Sequence, residues 1–166
     1  MHQSGQLRIY RSDNPRTFRI AGPEQLTPLP LRDHHFLRVD VSLELASTPD
    51  GVRLKVRESS YQYQFDAAGN QWVFRYDYER NPPNHYPAGH LHIRGTLVEN
   101  CLSSDHLLED LHFPILRSSI EAVIRLLHEQ FGIKCNTAAS LWRPMLALSE
   151  ELFLDIAHKP LSGPRK

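Results

Sequence analysis

The stretch "HFLRVDVSLELA", residues 35–46, decides the fold. Its odd positions, Leu37, Val39, Val41, Leu43 and Leu45, are apolar. Between them stand Arg38, Asp40, Ser42 and Glu44. Strict alternation is the period of a β-strand with one buried and one polar face. The next residues, "STPDG" (47–51), supply a turn with Asp50–Gly51 at its tip. A second strand then puts Val52, Leu54 and Val56 on the inner face and Arg53, Lys55 and Arg57 on the outer one.

Working downstream, the apolar parity flips after Glu58, to Tyr61, Tyr63 and Phe65. A slip of one residue reverses both faces, so a bulge or break is expected near Ser59–Ser60. "DAAGN" (66–70) reads as another hairpin turn. "QWVFRYDYE" (71–79) then places Trp72, Phe74, Tyr76 and Tyr78 on one face, with Arg75, Asp77 and Glu79 on the other. Asp77 and Glu79 are expected to pair with neighbouring arginines across the sheet. "RNPPNHYPAG" (80–89) is a stiff, proline-bearing loop. "HLHIRGTLV" (90–98) is the last strand of the series; His90, His92, Arg94 and Thr96 oppose Leu91, Ile93 and Leu97.

The period then becomes helical. In "RSSIEAVIRLLHEQFG" (117–132), Ser118 and Glu121 read as a capping box. Ile120, Val123, Ile124, Leu127 and Phe131 form the apolar stripe, and Gly132 ends the helix. A second helix is expected over about 144–157, with Pro144 in its first turn and Met145, Leu148, Leu152 and Ile156 as its stripe. Upstream, residues 1–33 hold a short strand candidate, "RTFRI", and a proline-bearing connector, "AGPEQLTPLPLRD". They are expected to pack as an extended segment on one domain, 34–166, with its sheet at 34–98 and helices at about 118–131 and 144–157. The fold class is therefore α+β: an antiparallel meander of about four to five strands, open or curled into a half-barrel, covered on one face by two C-terminal helices.

The 166 residues suffice for one core, and the formal net charge is zero, which argues against a bulk basic nucleic-acid binder. No apolar run is long enough to span a bilayer, and no apolar leader stands at the N-terminus. With two cysteines, Cys101 and Cys135, in no paired motif, a cytoplasmic protein with free thiols is expected.

"HYPAGHLHIRG" (85–95) concentrates the chemistry. His90 and His92 point to one side of their strand. With in-register pairing they share a solvated face with Arg38, Arg53, Lys55, Arg57, Arg75 and Arg94 and with the acids Asp40, Glu44, Asp77 and Glu79, a face expected to be locally basic. Three readings follow. In the first, His90 and His92 join a further histidine, His85 or His112, in a three-nitrogen metal site serving a hydrolase. In the second, metal-free acid–base chemistry cleaves an RNA phosphodiester: His90 and His92 transfer protons, Arg94 and Arg75 hold phosphate, and His85 contributes from the loop. In the third, the face is merely solvated or meets a protein. Spacing alone leaves all three open; the acid–base reading takes His90, His92, Arg94, Arg75 and His85 as the site, with no cofactor and no metal, and His90, His92 and His112 form the metal alternative.

"WVFRYDYERNPPNHYPAGHLHIRG" (72–95), followed after a spacer by "LHFPILRSSIEAVIRLLHEQFG" (111–132), resembles the TumE-type family of small bacterial toxins. The likeness spans roughly residues 36 to 132 and maps Arg75, Tyr76, Asp77, His85, His90 and His92 onto the family's histidine-rich motif. It implies a small α+β toxin of a type II toxin–antitoxin module, bound by a cognate antitoxin, with RNA among its candidate targets; joined to the acid–base reading of the histidine strand, it makes a metal-independent endoribonuclease the favoured expectation. The alternative is a non-catalytic interaction module whose C-terminal helix, with Trp142, Met145, Leu148 and Phe153, docks on a protein partner or on a second copy as a homo-oligomer.

Overall fold

In the computed structural model, residues 6–25, 27–49, 51–82, 86–95 and 112–157 are described. The chain divides into two units, Met1–Ser118 and Ser119–Lys166. The first is an antiparallel sheet with eight strands among the described residues, not closed into a barrel. These are β1 (Arg8–Arg11), β2 (Thr17–Ala21), β3 (Leu29–Pro30), β4 (Phe36–Thr48), β5 (Gly51–Gln64), β6 (Trp72–Glu79), β7 (Gly89–Ile93) and β8 (Phe113–Pro114). Their order is β1-β2-β4-β5-β6-β7-β8, and β3 pairs with the start of β4. The strand count exceeds the four to five expected. β2 is the expected "RTFRI" strand; the short β1 and β3 of the N-terminal stretch and the two-residue β8 after the long spacer carry too little alternation to announce a strand. The expected continuation of β7 through Thr96 and Leu97 lies outside the described residues, as does Cys101.

The parity flip has a structural cause. Along β4 and β5, Ser42 pairs with Glu58 but Leu43 pairs with Val56. Arg57 is the extra residue, a bulge slightly earlier than the Ser59–Ser60 expectation. Because of it, Val52, Leu54 and Val56 lie on the same face as Tyr61 and Tyr63 despite the change of parity. A second shift at Tyr63/Gln64 leaves Val73 extra and sets Trp72 opposite Gln64. Trp72 therefore leaves the aromatic face assigned to it from alternation. The Arg75 guanidinium lies over its ring at 5.8 Å, on the polar face.

Leu37, Val39, Tyr61, Tyr63 and Phe74 are buried on the apolar face. Their registers stack them across three strands, Leu37 beside Tyr63 beside Phe74, and Val39 beside Tyr61 beside Tyr76. Tyr63 and Phe74 have ring centroids 5.6 Å apart, and Phe74 and Tyr76 5.3 Å. Full burial of each such side chain contributes about 1.5–3 kcal/mol. The Tyr63 hydroxyl meets His35 Nδ1 at 2.7 Å, so its polar end is satisfied. Burial raises the pKa of Tyr63 and of Tyr76. At the β5–β6 turn, Gly69 takes φ 81° and the Asp66 carboxylate accepts from Asn70 N at 3.1 Å and from Gln71 N.

The second unit contains α1 (Ile120–Glu129) and α2 (Ala139–Ala157). Ser119, not Ser118, caps α1: its Oγ accepts from Ala122 N at 3.0 Å. The shift of one residue moves Glu121 off the capping-box position. Gly132 adopts φ 68°, and Ile133 N donates back to Leu127 O at 3.0 Å, closing the helix. Val123 and Leu127 are the buried stripe. The second helix starts five residues before the expected Pro144, which lies inside it. Arg125 of α1 pairs with Glu150 of α2.

Candidate functional site

The polar face of the sheet is not the wet surface expected from alternation. His90 and His92 are 8% and 5% exposed, and Gln62 and Gln64 beside them are also buried. The two glutamines answer one another, Gln62 Nε2 donating to Gln64 Oε1 at 2.8 Å. Two cross-strand rows organise the face. One runs Arg38–Gln62–Arg75–His92; the other runs Asp40–Ser60–Asp77–His90–Pro114.

Pairing of β8 with β7 sets Phe113 opposite Leu91 and Pro114 opposite His90. His112, just before β8, then reaches the same face. Its ring centroid is 4.9 Å from that of His90 and 4.5 Å from that of His92, while His90 and His92 are 5.0 Å apart. One ring nitrogen from each of the three lies within 4.8 Å of the others. Tyr86 stacks flat on His112, with centroids 4.1 Å apart and planes 10° from parallel. Gly89 lets the chain beyond β8 pass close, since a Cβ there would lie 2.6 Å from Ile115 O.

Fixed partners surround the cluster. His90 Nδ1 lies 2.9 Å from Pro87 O. A carbonyl only accepts, so Nδ1 carries the proton and a neutral His90 keeps its lone pair on Nε2. Asp77 is the hub behind the rings. Its Oδ2 accepts from Arg75 Nε at 2.6 Å and stands 3.5 Å from His92 Nε2, while its Oδ1 accepts from Ser60 Oγ at 2.7 Å. Asp77 thus pairs with an arginine, but with Arg75 two positions along its own strand rather than with one across the sheet, where Ser60 and His90 stand.

A groove of about 480 Å³ opens beside His90. Asp40, Glu58, Asp77 and Glu79 line it, against Arg19. Arg19 forks onto Asp40, with Nε donating to Oδ1 at 2.6 Å. That hydrogen bond raises the arginine's pKa against the opposing effect of its partial burial. The groove is therefore acidic where a basic face was expected. The reason is placement: Arg53 and Lys55 pair with Ala46 and Glu44, far along the β4–β5 hairpin.

Of the residues singled out from sequence, the structure brings together His90, His92, Arg75 and His112. Arg94 lies past the end of β7, exposed, with Nη1 donating to Asn70 O in the β5–β6 turn. His85 lies outside the described residues. Missed were Ser60, Tyr86 and Pro87, which hold Asp77, His112 and His90. Pro87 and Tyr86 stand in the quoted histidine-rich stretch, but nothing local marks a carbonyl or a ring as a support. Cys135 is a free thiol, and no helix among the described residues is long and apolar enough to cross a membrane.

An open antiparallel sheet with a three-histidine cluster on its polar face, joined to a separate helical unit, defines a small α+β protein built around one side-chain centre. The chain belongs to the TumE toxin family: the family model described as Toxin TumE matches residues 24–130, a span that includes the cluster. Comparison with curated proteins found no match, and comparison with solved structures found none.

Proposed function

We propose that this chain is the toxin of a toxin–antitoxin pair and that it cleaves RNA at the His90–His92–His112 centre. The observation that carries the reading is the convergence of three histidine nitrogens beside an open groove, with Asp77 and Pro87 behind two of the rings. Such a centre can take the proton from an attacking 2′-hydroxyl and return one to the leaving 5′-oxygen, because Asp77 and Pro87 hold two of the rings before substrate arrives. Arg75, bound to Asp77, holds that carboxylate and is assigned a phosphate contact. Arg94 at the far end of β7 serves the RNA backbone, and His85 contributes from its loop. Family membership supplies the toxin role, and a cognate antitoxin in the same cytoplasm is the expected partner.

Inducible expression of wild type beside a His90→Ala/His92→Ala double variant tests this, scoring growth and total RNA. Growth arrest with RNA loss in wild type alone, the variant being folded by circular dichroism, is the expected result. Intact RNA in arrested wild-type cells, or equal RNA loss in both strains, refutes it.

A second reading rests on α2. Leu141, Met145, Leu148 and Leu152 are 62%, 72%, 60% and 58% exposed. Their spacing of four, three and four residues is that of a helix–helix seam. In this reading the helix docks a protein partner or a second copy, and mass by light scattering over a concentration series distinguishes the copies.

A further inference from the structure

We infer that His90, His92 and His112 form a binding site for one divalent transition-metal ion of the zinc type, with Asp77 as its outer-sphere carboxylate. The inference deepens the cleavage reading above and rests on the same centre, but metal binding is measurable without any RNA.

Four observations carry it. The first is the ligand set. Three imidazoles on one side are a set that suits zinc, copper or nickel, and three protein nitrogens leave one position open. The second is convergence. The three ring nitrogens lie within 4.8 Å of one another. Nitrogens sharing a tetrahedral zinc at about 2.0–2.1 Å stand roughly 3.3 Å apart. Binding therefore draws the rings inward by side-chain rotation, while the strand register that brings them together stays as it is.

The third is the outer shell. A ligating histidine usually gives its other ring N–H to a carbonyl or a carboxylate. His90 does so to Pro87 O at 2.9 Å, which keeps its Nε2 lone pair for an ion. His92 has Asp77 Oδ2 at 3.5 Å, and Asp77 is itself held by Arg75 and Ser60. The fourth is charge. The groove beside His90 carries Asp40, Glu58, Asp77 and Glu79 against Arg19, and Glu58 sits directly opposite Glu79. Such a groove concentrates cations and repels a bare phosphate. An ion at the histidines would reverse that sign at the point where a phosphate has to sit.

The open fourth position faces chemistry rather than structure. Water on such an ion ionises near neutral pH, a property a metal brings to any site of this kind.

The test uses full-length protein without a histidine tag, stripped with chelator and titrated with Zn²⁺ by calorimetry and with Co²⁺ by visible absorption. Expected are one ion per chain and cobalt bands of low coordination number. His112→Ala, the half-buried ligand outside the strands, should weaken Zn²⁺ binding by more than the roughly 10–100-fold typical of an outer partner; Asp77→Asn should fall within that range. His90→Ala and His92→Ala serve where circular dichroism shows them folded. No binding by the folded wild type at micromolar Zn²⁺, or binding that survives His112→Ala unchanged, overturns the site. The two proposals separate cleanly. One bound ion with RNA left whole keeps the site and removes the cleavage reading. RNA cleaved by stripped protein that binds no ion does the reverse.

Discussion

Replacing Gly89 by alanine tests the geometry that assembles the centre. Gly89 begins β7, and the chain beyond β8 returns across it, with Ile115 N donating to Gly89 O at 3.0 Å. Its φ is not in the left-handed region, so alanine carries no conformational penalty there. The penalty is steric: the new Cβ would meet Ile115 O at 2.6 Å, and Arg117 N and Leu116 C at 3.3 Å. The first contact falls about 1 Å short of an ordinary carbon contact of about 3.5 Å. Every clashing atom belongs to the backbone, so the strand returning from His112 must move away. Overpacking of this kind costs about 1–3 kcal/mol. With a urea slope of about 2 kcal/mol per molar, the midpoint should fall by about 0.5–1.5 M. The displaced segment is the one that carries His112, so its imidazole signals in proton NMR should shift as well. Gly132→Ala is the control. Gly132 has φ 68°, and an added Cβ would meet nothing within 4 Å, so alanine there costs only about 1 kcal/mol of backbone strain and leaves those signals alone. A Gly89→Ala protein with an unmoved midpoint and unmoved His112 signals refutes the close passage and the register of β8 on β7.

Alkaline unfolding follows from Tyr63 and Tyr76. Burial raises both pKa values above the ordinary 10.0. The unfolded chain then loses these protons first, so the stability they contribute is whole below pH about 10 and lost as pH rises through the higher folded values. Urea midpoints measured across that range should fall for wild type and fall less steeply for Tyr63→Phe/Tyr76→Phe; equal slopes would contradict the assignment. In the helical unit, Ser119→Ala removes the acceptor of Ala122 N and should destabilise by about 1 kcal/mol in thermal unfolding, whereas Ser118→Ala should change little.

Alternation over residues 35–46, the two hairpin turns and the helical stripe of α1 were legible because each is decided by neighbours within a few residues. The parity flip after Glu58 announced a bulge for the same reason. Its exact partner, Arg57, was not legible, because a bulge is defined by what stands across from it. The resemblance carried by the R-Y-D strand and the histidine-rich loop was likewise a property of the chain alone, and the family match bears it out.

The pair His90 and His92 followed from a period of two, but their burial did not. A polar face is wet or dry according to what crosses it, and here His112, just before a remote two-residue strand, packs against both rings, with Tyr86 stacked on it. His112 lies twenty positions beyond His92, and no local pattern fixes such a distance; the β7–β8 register does. The acidity of the groove had the same origin. Counting charges on one face treated all positions as neighbours, while pairing sent Arg53 and Lys55 to the far end of the hairpin and left Asp40, Glu58, Asp77 and Glu79 around His90. Sequence determined which residue types could do chemistry and on which side of each strand they stand. Tertiary pairing alone decided which of them meet, because contact across a sheet depends on register and not on distance along the chain.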